Sequence, residues 1–500
     1  MTRTAQELGA GLAAARIARP IRPGERIHVV GAAGAGASAA ALLGAAAGGI
    51  VTGCDPGGAS PYTPALDAAA IALAWEHDAN HVTGDPAPDR LAVTKALTAI
   101  APDHPELAAA RARGIPAEPW QQVVADAAVG RTLVAVAGTH GKSTTAGWLT
   151  WVLADAGLDP AAFVGALLPA ALTGGVAATA RQGRGASFVV EADEYAGNFD
   201  AYRPDVVVLT TVEWDHPDVF ADRAAVLDAF ESWIRRSPSG TLVANVGDQG
   251  VADLLRRLHP WGGRVVASAA ERRHVDLGTT LLAEALPADG QGTPLALHLP
   301  GTGSVPAHLP TWGLHNVANA AVVAAAALEL GADLSAVVKG LASFPGIGRR
   351  LERKGEARGV VVYDDYGHHP TAITATLAAL REREPGRRLW AVYEPLTFHR
   401  TAALLEQFAS ALAGADAVAV ADIWASRDPD TTITSPAALA TAVRKLRPDI
   451  VAEATGSVEV TAAWLAEQVA PGDAVLVMGG GRSYRIAELL LEALGQVAAR

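Results

Sequence analysis

Residues 133–144 read Leu-Val-Ala-Val-Ala-Gly-Thr-His-Gly-Lys-Ser-Thr. The apolar half is typical of a buried strand, and the glycine-rich half is typical of a turn that leads into a helix. In such a turn backbone N–H groups bind phosphate oxygens, the Lys142 ammonium reaches the terminal phosphates and the Ser143 hydroxyl completes a Mg²⁺ shell. The usual pattern has its first glycine where this chain has Val136, so the loop is a shortened variant, and an ordinary strand-to-helix turn is the alternative. The predicted phosphate-binding residues are Gly138, Thr139, His140, Gly141, Lys142, Ser143 and Thr144.

The composition of the chain indicates how many domains it has, which fold class it belongs to and what kind of ligand it binds. At 500 residues the chain exceeds what one hydrophobic core organises, and we expect roughly two to four domains, with three as the working number. Half of the residues are apolar and 18% are charged, which is typical of an α/β protein whose Ala/Gly-rich helices pack closely on sheets. The formal net charge of −12 argues against a nucleic-acid-binding surface and favours small anionic ligands.

Cysteine usage and the apolar segments bear on localisation. The single cysteine, Cys54, excludes an intrachain disulfide and agrees with a reducing compartment. Residues 1–20 lack an apolar core followed by a cleavage site, so we expect a cytoplasmic protein. Residues 29–51 carry no charge and are long enough to span a bilayer. Because they are mostly Ala and Gly, we interpret them as strand, turn and helix instead.

A second glycine-rich turn lies near the N-terminus. Arg26–Val30 is typical of a strand, residues 34–39 fit Gly-x-Gly-x-x-Ala at the start of a helical Ala/Leu run, and a short strand at 49–52 precedes Asp55. This order matches the dinucleotide-binding fingerprint, in which the acid contacts a ribose. Tight helix–strand packing is the alternative in so glycine-rich a segment. We predict a Rossmann-like βαβ unit here.

Two further apolar strands end in polar residues. Residues 187–191 lead into Glu191-Ala192-Asp193-Glu194, and residues 206–210 lead toward Asp215-His216. The carboxyl ends of parallel strands share one sheet edge, so we expect these carboxylates beside the phosphate loop, where Mg²⁺ takes oxygen ligands. Glu191 is the first choice, and a solvated acidic turn is the alternative. A lone histidine here is more often structural, since Mg²⁺ rarely prefers nitrogen.

The second half of the chain alternates strands and helices again. We expect a small antiparallel appendage at 265–309, a helix at 316–330 and a hinge at 344–348. The last predicted strands lie at 360–363, 389–393, 417–420 and 474–478. Their alternation with helical runs indicates a second parallel sheet.

Six motifs follow one another along the chain. They are Gly138-Thr-His-Gly-Lys-Ser-Thr144, Glu191-Ala-Asp-Glu194, Glu213-x-Asp-His216, Gly313-x-His-Asn-x-x-Asn319, Gly346-x-x-Arg-Arg350 and Asp364-Asp-Tyr-Gly-His-His-Pro370. Six motifs in one order are far more specific than any one of them. The order resembles that of the Mur ligase family, and the resemblance covers essentially the whole chain.

The resemblance implies an α/β fold of three domains. These are an N-terminal Rossmann-like domain that binds a UDP-sugar at 1–128, a central P-loop ATPase domain with a parallel sheet at 129–344, and a Rossmann-like C-terminal ligase domain at 345–500. The implied reaction uses ATP and Mg²⁺ to join an amine to the carboxylate of UDP-N-acetylmuramate through an acyl phosphate. That step belongs to peptidoglycan precursor synthesis, and so to cell-wall biogenesis, cell shape and division. We expect no nucleic acid or membrane partner, and a monomer or homodimer.

The resemblance also implies a role for each residue that matches a family motif. Lys142 would contact the β- and γ-phosphates, while Ser143, Glu191 and His216 would hold Mg²⁺. The other nucleotide contacts would come from His315, Asn316, Asn319, Arg350 and Asp365, with Asn319 at the adenine. The UDP-sugar would be bound by Gly34, Gly36, Ser38 and Asp55. His368 and His369 would line the cleft, and the implied catalytic residues are Lys142, Glu191, His216, His369 and Arg400.

Residues 393–401 depart from the pattern of family members that add L-alanine. Arg400 and Thr401 are retained, but the family's histidine falls at Leu396 and its first arginine at Thr397. Loss of an arginine removes a bidentate contact to an amino-acid carboxylate. Residues 421–427 favour L-alanine as the amine, whereas residues 350–381 resemble a relative that attaches murein tripeptide. A non-catalytic nucleotide-binding relative and an NAD(P)-dependent oxidoreductase are the remaining alternatives.

Overall fold

The computed structural model describes residues 5–101, 103–277, 280–425, 428 and 430–497. The N-terminal strands are β1 (Arg26–Val30), β2 (Ile50–Cys54), β3 (Ala72–Ala74), β4 (Arg90–Val93) and β5 (Ala117–Pro119). The N-terminal helices are α1 (Ala5–Leu8), α2 (Ala35–Ala46), α3 (Thr63–Ala68), α4 (Asn80–Thr83), α5 (Lys95–Ile100), α6 (Pro105–Arg113) and α7 (Trp120–Ala127). All strands are parallel in the order β3-β2-β1-β4-β5. The order reverses at β1, which is where open sheets of this kind bind ligands.

The central sheet has ten strands in the described part of the chain. They are β6 (Thr132–Ala137), β7 (Ala161–Leu168), β8 (Ala178–Arg181), β9 (Ser187–Ala192), β10 (Val206–Leu209), β11 (Thr241–Asn245), β12 (Arg264–Ala269), β13 (Leu281–Ala285), β14 (Thr293–Leu299) and β15 (Gly303–Leu309). The helices are α8 (Lys142–Asp155), α9 (Arg223–Ile234), α10 (Gln249–Leu258), α11 (Leu314–Glu329) and α12 (Leu334–Ser343), with 3₁₀ turns at Ala170–Leu172, Tyr195–Ala201 and Arg272–Leu277. The spatial order is β15-β14-β13-β12-β11-β10-β6-β9-β7-β8.

The C-terminal sheet has the order β16-β17-β21-β18-β19-β20. Its strands are β16 (Glu352–Ala357), β17 (Val360–Asp365), β18 (Arg388–Glu394), β19 (Ala417–Ala421), β20 (Val451–Gly456) and β21 (Asp473–Gly479). Its helices are α13 (Pro370–Arg383), α14 (Phe398–Ala403), α15 (Leu405–Leu412), α16 (Pro436–Leu446), α17 (Val458–Gln468) and α18 (Ser483–Val497). Only the edge strand β16 runs antiparallel among these described strands.

The α/β class and the strands predicted from apolar runs are confirmed. The small antiparallel appendage expected at 265–309 is antiparallel only from β13 to β15, and it is part of the central sheet. Ser268 and Ala269 of β12 pair in parallel with Leu281 and Leu282 of β13, so the antiparallel β14 and β15 extend the central sheet. The last sheet is parallel as predicted apart from β16. Residues 29–51 form β1, α2 and β2, and no helix among the described residues has both the length and the apolar character needed to cross a membrane.

The N-terminal domain packs directly on the central sheet. Trp120 of α7 meets Phe163 of β7 edge to face, with ring centroids 5.2 Å apart. The Ser38 and Thr179 hydroxyls are hydrogen-bonded at 3.0 Å and both are buried. Apolar side chains of α2 and of one face of the central sheet form a continuous core. Burial of that area stabilises the pair of domains in one orientation.

Candidate active site

One cleft collects side chains from all three sheets. The residues predicted from sequence that line it are Gly34, Gly36, Thr139, His140, Gly141, Lys142, Ser143, Glu191, His216, Arg350, His368, His369 and Arg400. The cleft lies at the carboxyl ends of β1, β6, β9 and β10, the edge at which parallel sheets bind ligands. Three parts of the chain that are far apart in sequence therefore share one site.

The loop between β6 and α8 has the shape of a phosphate cradle. Gly138 has φ +133°, and a Cβ there would lie 2.2 Å from the Thr210 hydroxyl oxygen. Gly141 has φ +79°, and a Cβ there would lie 2.6 Å from Asn319 Oδ1. Both positions require glycine. The loop ends at Lys142, the first residue of a 14-residue helix, so the positive helix N-terminus faces the cleft.

Lys142 is a cation held at this loop. Its Nζ donates hydrogen bonds to the Gly138 carbonyl at 2.6 Å and to Glu194 Oε2 at 2.9 Å, and it lies 3.6 Å from Asp193 Oδ1. Burial alone would lower the pKa of Lys142, but these carboxylates raise it above its usual value. Burial raises the pKa of Glu194 to about 7 even though Lys142 opposes the shift. An anionic ligand at the loop would therefore compete with Glu194 for this ammonium.

Ser143 and Glu191 are in direct contact because their strands are neighbours. Strand β6 pairs with β9 so that Val136 lies opposite Glu191, at the end of the strand that leads into the loop. The Ser143 hydroxyl donates to Glu191 Oε1 at 3.0 Å, and Arg350 Nη2 donates to the Ser143 oxygen at 2.8 Å. The Gly165 N–H donates to the other Glu191 oxygen at 2.6 Å. The predicted metal ligands Ser143 and Glu191 thus lie together.

His216 lies with a different pair of carboxylates. Its ring offers a nitrogen that lies within 4.8 Å of ligand oxygens of Asp193 and Glu194, while Glu191 is not part of this cluster. Arg400 Nη2 lies 2.9 Å from His216 Nδ1. Because a guanidinium only donates, Nδ1 accepts this hydrogen bond and a neutral ring carries its proton on Nε2. His216 can bind a metal only after its contact with Arg400 is released.

The C-terminal domain reaches the cleft through Arg400. Arg400 Nε donates to Asp215 Oδ1 at 2.9 Å, and both side chains are buried. Burial alone would raise the pKa of Asp215, but Arg400 holds it well below its usual value. Burial would lower the pKa of Arg400, but the attraction of Asp215 together with that of Tyr393 and Asp218 raises it above its usual value. The pair is ionised on both sides and joins two domains.

A second contact between the same domains centres on Glu213. The Thr371 hydroxyl donates to Glu213 Oε1 at 2.8 Å, and His140 Nε2 lies 2.8 Å from Oε2. His369 Nδ1 lies 4.0 Å from that oxygen, and the His140 and His369 rings are 4.7 Å apart. Burial lowers the pKa of His369, which favours a neutral ring. The cleft is therefore closed over the phosphate loop.

Other predicted nucleotide contacts lie outside the cleft lining. Asn316 Nδ2 donates to the Trp312 carbonyl at 2.9 Å, and Asn319 Nδ2 donates to Asn316 Oδ1 at 3.4 Å, so the start of α11 lies against the loop. Burial lowers the pKa of His315 to about 4, which leaves the ring neutral. Asp365 accepts the backbone N–H groups of two residues, Leu351 and Gly367, both at 2.7 Å. Asp365 shapes its own loop in this arrangement.

The N-terminal domain contributes Gly34 and Gly36 to the cleft, while Asp55 shapes the neighbouring loop. Asp55 accepts the Ala33 N–H at 3.1 Å and the Gly57 N–H at 2.9 Å. Sequence reasoning missed Lys95, whose Nζ donates to the Ala196 carbonyl at 2.6 Å inside the cleft. The position of Lys95 directly after β4 could have identified it as a cleft residue, because ligand-binding residues follow parallel strands.

Of the two departures from the expected pattern, Leu396 lines the cleft, and Thr397 follows it in the chain. Thr397 has φ +62° and caps α14, since its side chain accepts the Arg400 N–H at 3.4 Å, and its own N–H donates to the Trp424 carbonyl at 3.0 Å. Thr397 therefore positions the backbone that carries Arg400. Of the stretch 421–427, Ser426 and Arg427 lie outside the described residues.

Three family models match the chain in succession. They are described as Mur ligase family, catalytic domain, at residues 26–132, Mur ligase middle domain at 136–327, and Mur ligase, glutamate ligase domain, at 349–481. Among curated proteins the chain is 40% identical to the UDP-N-acetylmuramate–L-alanine ligase of Kineococcus radiotolerans, over 94% of this chain and 96% of that one. It is 38% identical to the ligase of the same name from Mycolicibacterium vanbaalenii, over 95% and 97% of the two chains.

Two solved structures share the whole architecture. A murein peptide ligase from Psychrobacter arcticus superposes with a TM-score of 0.72 at 26% identity, covering 94% of this chain and 99% of that one. The UDP-N-acetylmuramate-alanine ligase of Thermotoga maritima superposes with a TM-score of 0.76 at 23% identity, covering 95% and 100%. The second likeness shows the fold alone.

Proposed function

This chain belongs to the Mur ligase family, and we propose that it joins L-alanine to the carboxylate of UDP-N-acetylmuramate with conversion of ATP to ADP and phosphate. The observation that carries the proposal is the cleft in which Lys142, Glu191 and Arg400 meet from two domains, in a chain 40% identical over 94% of its length to a ligase of that name. The reaction is a step of peptidoglycan precursor synthesis, and we place it in the cytoplasm, where ATP is available.

The residues present fit ATP and Mg²⁺. The backbone at Gly138 and Gly141 leaves no room for a side chain, which is the shape that a phosphate cradle needs. Ser143 and Glu191 supply neighbouring oxygens for a hard cation, and His216 lies with Asp193 and Glu194 beside Lys142. We propose Ser143, Glu191 and His216 as the Mg²⁺ ligands, with release of the Arg400 contact as the condition for His216.

Each domain has a task in the reaction. When bound, ATP supplies the γ-phosphoryl group that turns the substrate carboxylate into an acyl phosphate, and a neutral amine then displaces phosphate to form the amide. Lys142 and the loop N–H groups stabilise the negative charge that spreads over the transferred group. Arg350 approaches the same loop from the C-terminal domain. Closure through Arg400 and Thr371 excludes water, which would otherwise hydrolyse the acyl phosphate.

The remaining assignments complete the proposal. We assign the UDP-sugar to the N-terminal domain at Gly34, Gly36, Ser38 and Asp55, and the rest of the nucleotide to His315, Asn316, Asn319, Arg350 and Asp365. His369 and Arg400 lie on the side from which the amine arrives. The domain division at 1–128, 129–344 and 345–500 is supported by the three sheets, each of which is built within one of these ranges. A monomer or homodimer stays a prediction.

An ADP-release assay tests the proposal. UDP-N-acetylmuramate is offered with L-alanine, glycine, L-serine or murein tripeptide, and we expect the highest kcat/KM with L-alanine. Preference for the tripeptide would support the second candidate, which the 26% identical murein peptide ligase and the departures at Leu396 and Thr397 favour. ADP release that needs neither sugar nor amine would contradict both.

A further inference from the structure

A second cluster of titratable side chains lies in the N-terminal domain, outside the cleft. Its members are His28, Cys54, His77, His81, His104 and Glu106. They come from β1, the end of β2, the turn after β3, α4 and the start of α6. None of these six residues lines the cleft described above. The proposed ligase reaction gives them no task.

Glu106 is the centre of the cluster. It is fully buried, and its Oε1 lies 2.5 Å from His81 Nδ1, 3.1 Å from Cys54 Sγ and 3.6 Å from His28 Nε2. One ligand atom from each of these four residues lies within 4.8 Å of the other three. Four ligands around a tetrahedral zinc ion lie roughly 3.3–3.8 Å from one another, given bonds of about 2.0–2.3 Å. Small side-chain shifts would bring all four to one ion.

His28 is already oriented as a metal ligand. Its Nδ1 lies 2.8 Å from the Thr52 hydroxyl oxygen, and this contact turns Nε2 toward Glu106. The residue is only 3% exposed, and Nε2 makes no hydrogen bond within the described part of the chain. An outer hydrogen bond that fixes the ring and leaves the second nitrogen aimed at the ion is the usual arrangement of a metal-binding histidine.

The charges of the cluster also favour a divalent cation. The Cys54 thiol lies 3.1 Å and 3.3 Å from the two oxygens of the buried Glu106 carboxylate. A Zn²⁺ ion would balance one thiolate and one carboxylate to zero net charge. Thiolate, imidazole and carboxylate are the ligand types that zinc takes in proteins.

We propose that His28, Cys54, His81 and Glu106 bind one Zn²⁺ ion. Four protein ligands leave no open position, so the site is structural and ties β1, β2, α4 and α6 together. His77 Nδ1 and His104 Nδ1 lie 3.6 Å and 3.8 Å from Glu106 Oε2, too far for a hydrogen bond, and His77 Nδ1 contacts Cys54 Sγ at 3.3 Å.

Cobalt titration of the full-length chain tests this site. Cys54 is the only cysteine in the sequence, so a thiolate-to-Co²⁺ charge-transfer band reports on this site alone, whatever binds in the cleft. We expect the band to saturate at one equivalent of Co²⁺, together with the visible bands of tetrahedral cobalt, and to disappear when Zn²⁺ displaces the cobalt. Zn²⁺ should also raise the Tm of the wild-type chain.

Three variants sharpen the test. Cys54→Ser should abolish the band, and Glu106→Gln, which keeps the thiol, should weaken Co²⁺ binding about tenfold or more. His308→Ala is the matched control, since His308 pairs only with Asp289 among the described acidic residues, far along the chain at an edge strand. Wild-type protein without the band at excess Co²⁺ would overturn the proposal, and that result needs no variant to fold. An undiminished band in Glu106→Gln, with an unchanged circular dichroism spectrum, would remove Glu106 from the ligand set.

Discussion

Arg400 and Asp215 form an ion pair of 2.9 Å between the C-terminal and central domains, and their side chains are only 3% and 5% exposed. The pair connects residues that are 185 positions apart in the sequence. Both charges are buried away from water, and the attraction between them offsets the free-energy cost of that desolvation. Closure of the ligase domain over the phosphate loop is therefore coupled to this contact.

Removing one partner of this pair should impair closure. In Asp215→Asn the Arg400 guanidinium keeps its charge but loses its buried counterion, and we expect kcat to fall about 100-fold, or about 2.7 kcal/mol. Steady-state ADP release gives kcat, and small-angle X-ray scattering gives the change in compactness. Glu459→Gln, at the exposed pair with Arg482, is the control. An unchanged kcat in Asp215→Asn would show that the closed contact is not needed.

Lys142→Ala should abolish ATP-dependent ligation and leave UDP-sugar binding largely intact. The reason is that Lys142 lies on the phosphate loop of the central domain, whereas the sugar nucleotide is assigned to the N-terminal domain. ADP release and calorimetric binding of UDP-N-acetylmuramate measure the two effects. Lys339→Ala, which breaks the exposed pair with Asp155, should behave like the wild type. Loss of sugar affinity in parallel with activity would contradict the division of labour.

Glu191→Ala should raise the Mg²⁺ concentration needed for half-maximal activity, by about tenfold. The substitution removes the carboxylate that contacts Ser143 and the Gly165 N–H, and a hard cation loses an oxygen ligand. The measurement is an Mg²⁺ titration of ADP release at fixed ATP. A titration curve identical to that of the wild type would remove Glu191 from the proposed metal ligands.

The stability of the N-terminal domain should depend on Glu25 at acid pH. Its hydrogen bond with Arg19, together with Arg90 and against the effect of burial, lowers the pKa of Glu25 from 4.5 to about 2. A lowered carboxyl pKa stabilises the folded state above the unfolded-state value, and this contribution is lost as pH falls from about 4.5 toward 2. The Arg19 side chain is 40% exposed, so solvent screening reduces the expected contribution to about 1–2 kcal/mol.

Urea unfolding of the wild type and Glu25→Gln measures that contribution. The free energies of unfolding of the wild type and Glu25→Gln should differ most at neutral pH. This difference should become smaller as the pH falls from 4.5 to 2. The second variant is Glu271→Gln, because Glu271 pairs with a strongly exposed arginine. That variant should show little difference from the wild type at any pH. A Glu25→Gln difference that stays constant with pH would contradict the argument.

The strands next to the phosphate loop were predictable because their signals are local. Residues 133–137 and 188–190 are continuous apolar runs, and glycine at positive φ marks the turn at 138–141. The rule that parallel strands end at one edge then places Glu191 next to Ser143, and the β6–β9 register agrees.

Two strands of the C-terminal sheet gave no such signal. Strand β16 reads Glu-Arg-Lys-Gly-Glu-Ala and β20 reads Val-Ala-Glu-Ala-Thr-Gly, and both lie at the edges of the sheet. Edge strands are partly solvated, so they need no apolar run. The sequence also does not predict that residues 265–309 belong to the central sheet, because this connection depends on one short ladder between β12 and β13.

The sequence by itself determined the α/β class, the phosphate loop and the carboxylates that follow its neighbouring strands, because each depends on the chemistry of a few consecutive residues. Only the tertiary structure decided that Asp215 meets Arg400, and that His28, Cys54, His81 and Glu106 converge on one point. These side chains are separated by 25 or more positions along the chain. No local period encodes such contacts, since they arise from the packing of whole strands and helices.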